Sequence, residues 1–316
     1  MNKSDYIEHP VFNTKFTILT GAIVDACNVA LDAVFMRRTG LVFYGLSRVG
    51  KTRCARTLKN KLSGFMPRVY VTQIEVLKKE GPHTNNLLVQ IGVEESCEFS
   101  SRSPAIFRFN MVVDRILLRC RERGCNQWVL LLDEFHYLRN YDLHLLGNIF
   151  NVLDRKNITM TVVSFGMPKV KGLRNETKAK KDFQLIARFM SDLIEFPGCR
   201  SISELKIVLE TFDKKSEYPP LSGISYTQGL IPLAFANGLR LSHYANILWK
   251  SLNQSAVGAY KNNLPLEHLF LTLLYLLRFC AKNDSEKLIV TADIIEEAVS
   301  LSKIAEFTAL NGEQVA

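Results

Sequence analysis

The sequence predicts an α/β fold in which a parallel sheet flanked by helices is followed by an all-helical unit. Three observations carry that expectation. Short apolar or β-branched runs alternate with helical periodicities over the first part of the chain, the pattern of parallel strands joined by crossover helices. The motif Gly45-Leu46-Ser47-Arg48-Val49-Gly50-Lys51-Thr52 follows one such run and opens a helix. From Ser201 onward the pattern is helical throughout, broken at Tyr218-Pro219-Pro220 and around Asn262-Asn263.

The bulk properties agree with such a fold. The 316 residues suffice for a large core and a smaller second unit, and 47% hydrophobic with 22% charged residues is ordinary globular composition. A formal charge of +9 is a moderate excess that favours a polyanionic partner without establishing one. The first residues lack the basic-then-apolar form of a signal peptide. The most apolar run, Leu269 to Leu277, is too short to cross a bilayer, so no membrane association is expected. Seven cysteines without a C-x-x-C pair are expected to be reduced thiols of a cytoplasmic protein, and the same scatter argues against a zinc site.

Taken in order, residues 1 to 14 are polar and irregular, ending in His9-Pro10-Val11-Phe12. Apolar residues at helical spacing, including Leu19, Ile23, Ala26, Ala30 and Val34, predict a helix over 17–37. Leu41 to Tyr44 is a short buried strand. The helix opened at Thr52 is expected to run to about Ser63 and stop at Gly64. Arg68 to Thr72 predicts a second strand, Lys78 to His83 a charged turn, and helices follow around 87–93 and 104–123. Trp128-Val129-Leu130-Leu131-Leu132 is a strand buried on both faces, ending in Asp133-Glu134. A helix through Leu138, Leu143, Leu146, Ile149 and Leu153 leads to a β-branched strand, 158–168, ending in Ser164 and a Gly/Pro turn. Residues 169–181 carry Lys169, Lys171, Arg174, Lys178, Lys180 and Lys181 against the single acid Glu176, either a solvated loop or a surface for an anionic partner. A helix over 183–193 carrying Arg188 and a last strand at 194–196 precede Pro197-Gly198, which marks a boundary. Helices are expected over 231–249, 265–280 and 292–302. The organisation is thus an N-terminal segment and helix (1–38), an α/β nucleotide-binding core (39–197) and a helical lid (198–316).

The chemistry concentrates in two motifs. G-x-x-x-x-G-K-T after a strand and before a helix is a phosphate-binding loop: backbone N–H groups cradle an anion at the positive end of the helix dipole. Lys51 would reach the β- and γ-phosphates and the Thr52 hydroxyl would sit on Mg²⁺. Gly45, Ser47, Val49, Gly50, Lys51, Thr52 and Arg53 are the expected ATP contacts. Asp133 and Glu134 end a buried strand at the edge where open α/β sheets bind ligands. There Asp133 could hold the magnesium through water and Glu134 could polarise the attacking water. A plain helix N-terminus favouring acids is the other reading of that pair.

With the loop GLSRVGKT, the strand WVLLLDE, the hydroxyl-ended strand and the helical tail in this order, the chain resembles the AAA+ ATPases. Through TVVSFGMPKV and DFQLIARF it resembles more narrowly the TnsC/TniB regulators of bacterial transposition. The resemblance implies a P-loop AAA+ core with a helical lid. It places Ser164 as sensor 1, a position where Asn or Thr is commoner, and Arg188 as an arginine finger presented to a neighbouring subunit. Arg240, in Asn237-Gly238-Leu239-Arg240, corresponds to a nucleotide-contacting sensor 2. Both arginines could equally be ordinary surface residues. The resemblance further implies assembly on double-stranded DNA as an ATP-dependent ring, with a heptamer among the forms, or a helical filament. Such an assembly links a target-selecting protein to the transposase, and hydrolysis takes it apart. Within that picture Lys78 and Lys79, in the loop after the second strand, are the expected contacts to DNA backbone. The other functions open to this sequence are an initiator-like ATPase such as a helicase loader and a nucleotide-gated adaptor with negligible turnover.

Overall fold

Five strands, β1 (Gly40–Tyr44), β2 (Tyr70–Glu75), β3 (Gln127–Asp133), β4 (Thr159–Gly166) and β5 (Leu193–Glu195), form one sheet in the order β2-β3-β4-β1-β5. Every neighbouring pair is parallel. The computed structural model describes residues 8–13, 16–78, 87–100 and 103–312. It divides into a core unit, Ile23–Gly45 with Lys51–Phe196, and a helical unit made of residues 1–22, Leu46–Gly50 and Pro197–Ala316.

In the core unit the central strands explain their own sequences. All residues of β3 are buried, as expected of a strand covered on both faces. In the register Ser164 of β4 pairs with Val42 on one side and Leu132 on the other, and Glu75 of β2 pairs with Asp133. The C-terminal ends of β1, β3 and β4 therefore lie along one edge, which delivers the motif residues together. Helices α1 (Gly21–Phe35), α2 (Lys51–Phe65), α3 (Leu87–Glu94), α4 (Ala105–Glu122), α5 (Asn140–Arg155), α6 (Val170–Ala179) and α7 (Phe183–Phe189) complete this unit. Leu130, Leu132, Val162 and Met160 of the sheet pack with Val112, Ile116, Leu146 and Ile149 of the helices in one apolar core. β1 starts on a glycine because it passes close to α7: a Cβ on Gly40 would lie 2.6 Å from the Arg188 carbonyl oxygen. Gln127 fixes α1 to the sheet, its amide donating to Val34 O at 2.8 Å.

Several sequence expectations shift. Helix α1 begins at Gly21 rather than near residue 17, and α2 runs through Gly64 to Phe65. The second strand spans Tyr70–Glu75, not 68–72, because alternate burial of Tyr70, Thr72 and Ile74 sets its register. The lysine-rich segment 169–181 is not a loop. It forms α6, since Val170, Leu173 and Thr177 share a helical face and are buried while the lysines point outward. α7 ends at Phe189, earlier than its apolar pattern suggests, and β5 begins at Leu193.

The helical unit contains α8 (Ile202–Glu210), α9 (Tyr226–Leu230), α10 (Pro232–Ala236), α11 (Ala245–Ser255), α12 (Leu266–Lys282), α13 (Ala292–Leu301) and α14 (Ile304–Gly312). The single helix expected over 231–249 is thus two helices. Pro232 starts α10, Gly238 at φ 94° breaks the helical path, and a 3₁₀ turn over Leu241–Tyr244 leads into α11. The buried Asp213 carboxylate steadies this break, accepting from the Leu241 and Ser242 amides at 3.0 Å each. The N-terminal segment plugs the unit with aromatic rings. His9 meets Tyr218 and Tyr226 edge-on at 4.8 and 5.3 Å, and Phe16 meets Phe212 and Phe270 at 5.6 and 5.5 Å. Burial pushes the His9 imidazole down to about 4, so it serves as a neutral ring. All seven cysteines are free thiols, and among the described residues no helix is long and apolar enough to cross a membrane.

Candidate nucleotide site

β1 runs out at Tyr44, and the Gly45 amide donates to Gly166 O at 3.1 Å, tying the start of the loop to the end of β4. The chain then turns through Arg48 (φ 65°) and Gly50 (φ 106°) into α2, whose first residue is Lys51. Glycine adopts such a φ without a Cβ penalty; arginine does so at a cost. Lys51 is only 6% exposed, yet its ammonium donates to Gly45 O at 3.0 Å, so the side chain folds back over its own loop. Burial pushes its pKa down from 10.5 to about 8, against the opposing pull of Glu134 and Asp133. That pull places the cation in the field of both acids.

The acids are set by the end of β3. Asp133 is 2% exposed, and its Oδ1 accepts from the Glu134 amide at 2.9 Å. Glu134 follows in a left-handed conformation, φ 56° and ψ 35°, which turns it off the strand direction. Its carboxyl is pushed above the usual range by burial first and by the Asp133 charge second, with Lys51 opposing and Glu75 adding. His136, next along, is a residue the sequence reading missed, although its place two residues after the acids is the signal. Burial, then the charges of Lys51 and Lys169, push it down to about 4. The ring is therefore neutral at pH 7, and its Nδ1 accepts from the Met167 amide at 3.3 Å. The 3.3 Å approach of that same nitrogen to Glu134 Oε2 is thus not an ion pair. His136 instead links the turn carrying Glu134 to the end of β4.

The remaining expected residues fall as follows. Thr52 lies in the first turn of α2, half-buried, with Arg53 exposed beside it. Ser164 is fully buried in β4, and its hydroxyl finds no hydrogen-bond partner among the described residues. Arg188 sits in the last turn of α7, where it donates to Asn151 Oδ1 at 3.1 Å and lies 4.5 Å over the Phe150 ring. Lys78 is exposed three residues past β2; Lys79 lies outside the described residues. In the helical unit Arg240 donates to Phe235 O and Leu239 O, each at 2.7 Å, and stacks 3.4 Å over the Phe235 ring. Ser47, Val49 and Gly50 belong with that unit too.

Residues 36–173 match the family model of an AAA domain. Strands β1 to β4, the loop opening α2 and the acid-ended β3 lie within those residues, and β5 and the helical region follow them. This is the P-loop AAA+ fold. The AAA+ fold is shared with the ORC2 protein of Aeropyrum pernix, at TM-score 0.60 and 15% identity over 91% of this chain and 68% of that one. The Aeropyrum pernix ORC1 protein, determined in complex with DNA, follows at 0.50 and 14%, over 90% and 65% of the two chains. The Drosophila ORC bound to DNA aligns at 0.51 and 13%, over 88% and 62%. No curated protein matches the sequence.

The donor set of this AAA+ core suits a magnesium nucleotide. The Thr52 hydroxyl and the Asp133 carboxylate are hard oxygen donors. Magnesium is usually held by one or two such groups plus substrate phosphates rather than by a protein cage. The unsatisfied Ser164 hydroxyl is a further polar group that a bound ligand or water could engage.

Proposed function

We propose that this chain is an ATP-hydrolysing, DNA-binding regulator of DNA transposition, which assembles on duplex DNA and links target selection to the transposase. The observation that supports it most is the grouping of Lys51, Asp133 and Glu134 at the edge where β1 and β3 end. In this reading Lys51 leaves the Gly45 carbonyl for the phosphates and stabilises charge on the transferred group. Thr52 and Asp133 would hold magnesium, which when bound would supply further neutralisation of the phosphates. Glu134, whose raised pKa suits a general base, orients the attacking water and accepts its proton. Ser164 adds a hydroxyl beside the γ-phosphate, and Arg188 of a neighbouring subunit completes the charge. Arg240 contacts the nucleotide once it is free of the Phe235 and Leu239 carbonyls.

DNA binding is supported by the net charge of +9 and by the shared fold with proteins whose structures were determined on DNA. Lys78 and Lys79 are the proposed backbone contacts. A single subunit with a few phosphate contacts binds weakly, so affinity would come from many subunits aligned by ATP. The test is binding to unrelated duplexes with ATP, ADP and a slowly hydrolysed analogue across a salt series, together with turnover with and without DNA. ATP-dependent, sequence-independent, salt-sensitive binding supports the reading. Tight binding with ADP alone, or a strong preference for one sequence, overturns the DNA role, and turnover at background overturns the ATPase. Co-purification with a transposase, rather than with a replicative helicase, decides between transposition and helicase loading.

A further inference from the structure

The turn Leu46–Gly50 is held by the first residues of α12 and by Tyr260 just ahead of it. The Glu267 amide donates to Arg48 O at 3.3 Å, and the Glu267 carboxylate accepts from the Arg48 guanidinium at 2.6 Å. The Leu266 side chain lies 3.1 Å from where a Cβ on Gly50 would stand. The Tyr260 hydroxyl reaches Ser47 O at 3.5 Å. The residue at the centre of the grip is also the strained one. Arg48 holds φ 65°, a region that side chains other than glycine and asparagine seldom occupy without help.

We propose that Glu267 is a positioning residue for the phosphate loop, acting through Arg48. The inference rests on the nucleotide-binding reading of that loop. Both partners of the ion pair are about half exposed, 54% and 45%, so charge attraction alone would be weak. Glu267 does more than pair charges. It holds the guanidinium with its side chain and the carbonyl with its backbone, fixing Arg48 from both ends in the left-handed conformation. Released from Glu267, Arg48 would relax toward ordinary φ values and rotate the peptides on either side of it. Those peptides carry loop N–H groups meant for phosphate. A loop that is binding-competent for only part of the time binds with an affinity reduced by that fraction. Glu267 therefore acts on nucleotide capture and not on the chemical step.

The test combines a double-mutant cycle with a measurement that needs no nucleotide. E267A is expected to raise the dissociation constant for a fluorescent ATP analogue by about three- to tenfold, and to raise KM while kcat at saturating ATP stays within about twofold. Added to R48G, which removes both the ion pair and the strain, the same E267A change is expected to matter less than about twofold. In nucleotide-free protein, amide exchange across residues 46–50 should be faster in E267A and parental in E267D, with melting temperature unchanged. Equal weakening by E267A in both backgrounds would show that Glu267 does not act through Arg48 and would overturn the proposal. So would parental exchange and affinity in E267A. Should K51A bind nucleotide as tightly as the parent, the phosphate-loop reading itself fails, whereas the exchange measurement still reports on the Arg48–Glu267 grip.

Discussion

The Lys51 ammonium lies 3.0 Å from the carbonyl oxygen of Gly45, the first residue of the motif that Lys51 nearly completes. If Lys51 meets the phosphates as proposed, it leaves that carbonyl, and the two states differ in pKa. In the free protein burial pushes the Lys51 pKa down to about 8. Phosphate oxygens stabilise the ammonium and raise the value, so binding takes up a proton above pH 8. Affinity is then full below about pH 8 and falls above it, by up to about one log unit per pH unit until the bound-state pKa is reached. Titration calorimetry in buffers of different ionisation enthalpy, from pH 6.5 to 9.5, measures this directly. A flat profile would mean that Lys51 does not meet the phosphates.

Glu134→Gln should leave nucleotide affinity near parental, because Lys51, Thr52 and Asp133 all remain. Turnover should drop by about 10² to 10⁴ if Glu134 is the general base. Equilibrium binding measured beside steady-state phosphate release separates the two effects. Parental turnover in this variant would remove Glu134 from the chemistry.

Arg188→Ala and Lys51→Ala should each abolish most turnover alone, yet regain part of it when mixed. Each would then supply what the other lacks at a shared interface. Phosphate release across a range of mixing ratios, with co-assembly checked by light scattering, is the measurement. The absence of rescue at every ratio argues that Arg188 does no more than hold α7 against Asn151 and Phe150.

Gly40→Ala tests how closely β1 and α7 approach. The added methyl would sit 2.6 Å from Arg188 O and 3.0 Å from Phe189 Cα, and backbone atoms cannot rotate away. A loss of about 1–3 kcal/mol, typical of overpacking, is expected in chemical denaturation. If Arg188 serves a neighbour, displaced α7 backbone should also lower turnover at protein concentrations where the parent is fully active.

The fold and its two motif segments were legible in the sequence, for identifiable reasons. Gly45 to Thr52 and Trp128 to Glu134 are local motifs whose spacing is dictated by a turn and by a strand buried on both faces, so neighbours in sequence suffice to read them. What escaped depends on distant partners. Residues 169–181 hide a buried Val170-Leu173-Thr177 face under six cations, so composition spoke louder than period. The break between α10 and α11 is held by Asp213, far back in the chain. Arg48 reads as an unremarkable loop residue until Glu267 is seen beside it, 219 positions away.

The aromatic plug made by His9 and Phe16 bears on how the chain is made. The helical unit takes its parts from residues before 23, from the turn Leu46–Gly50 and from Pro197 onward, with the strands of the sheet encoded on either side of that turn. On the ribosome the first segment emerges early but has no rings to dock on until Phe212, Tyr226 and Phe270 follow. The strands β1 to β5 are therefore synthesised before the rings on which Phe16 and His9 dock. A fragment beginning at Pro197 would carry those sockets without their stopper, leaving apolar rings open to water and prone to self-association.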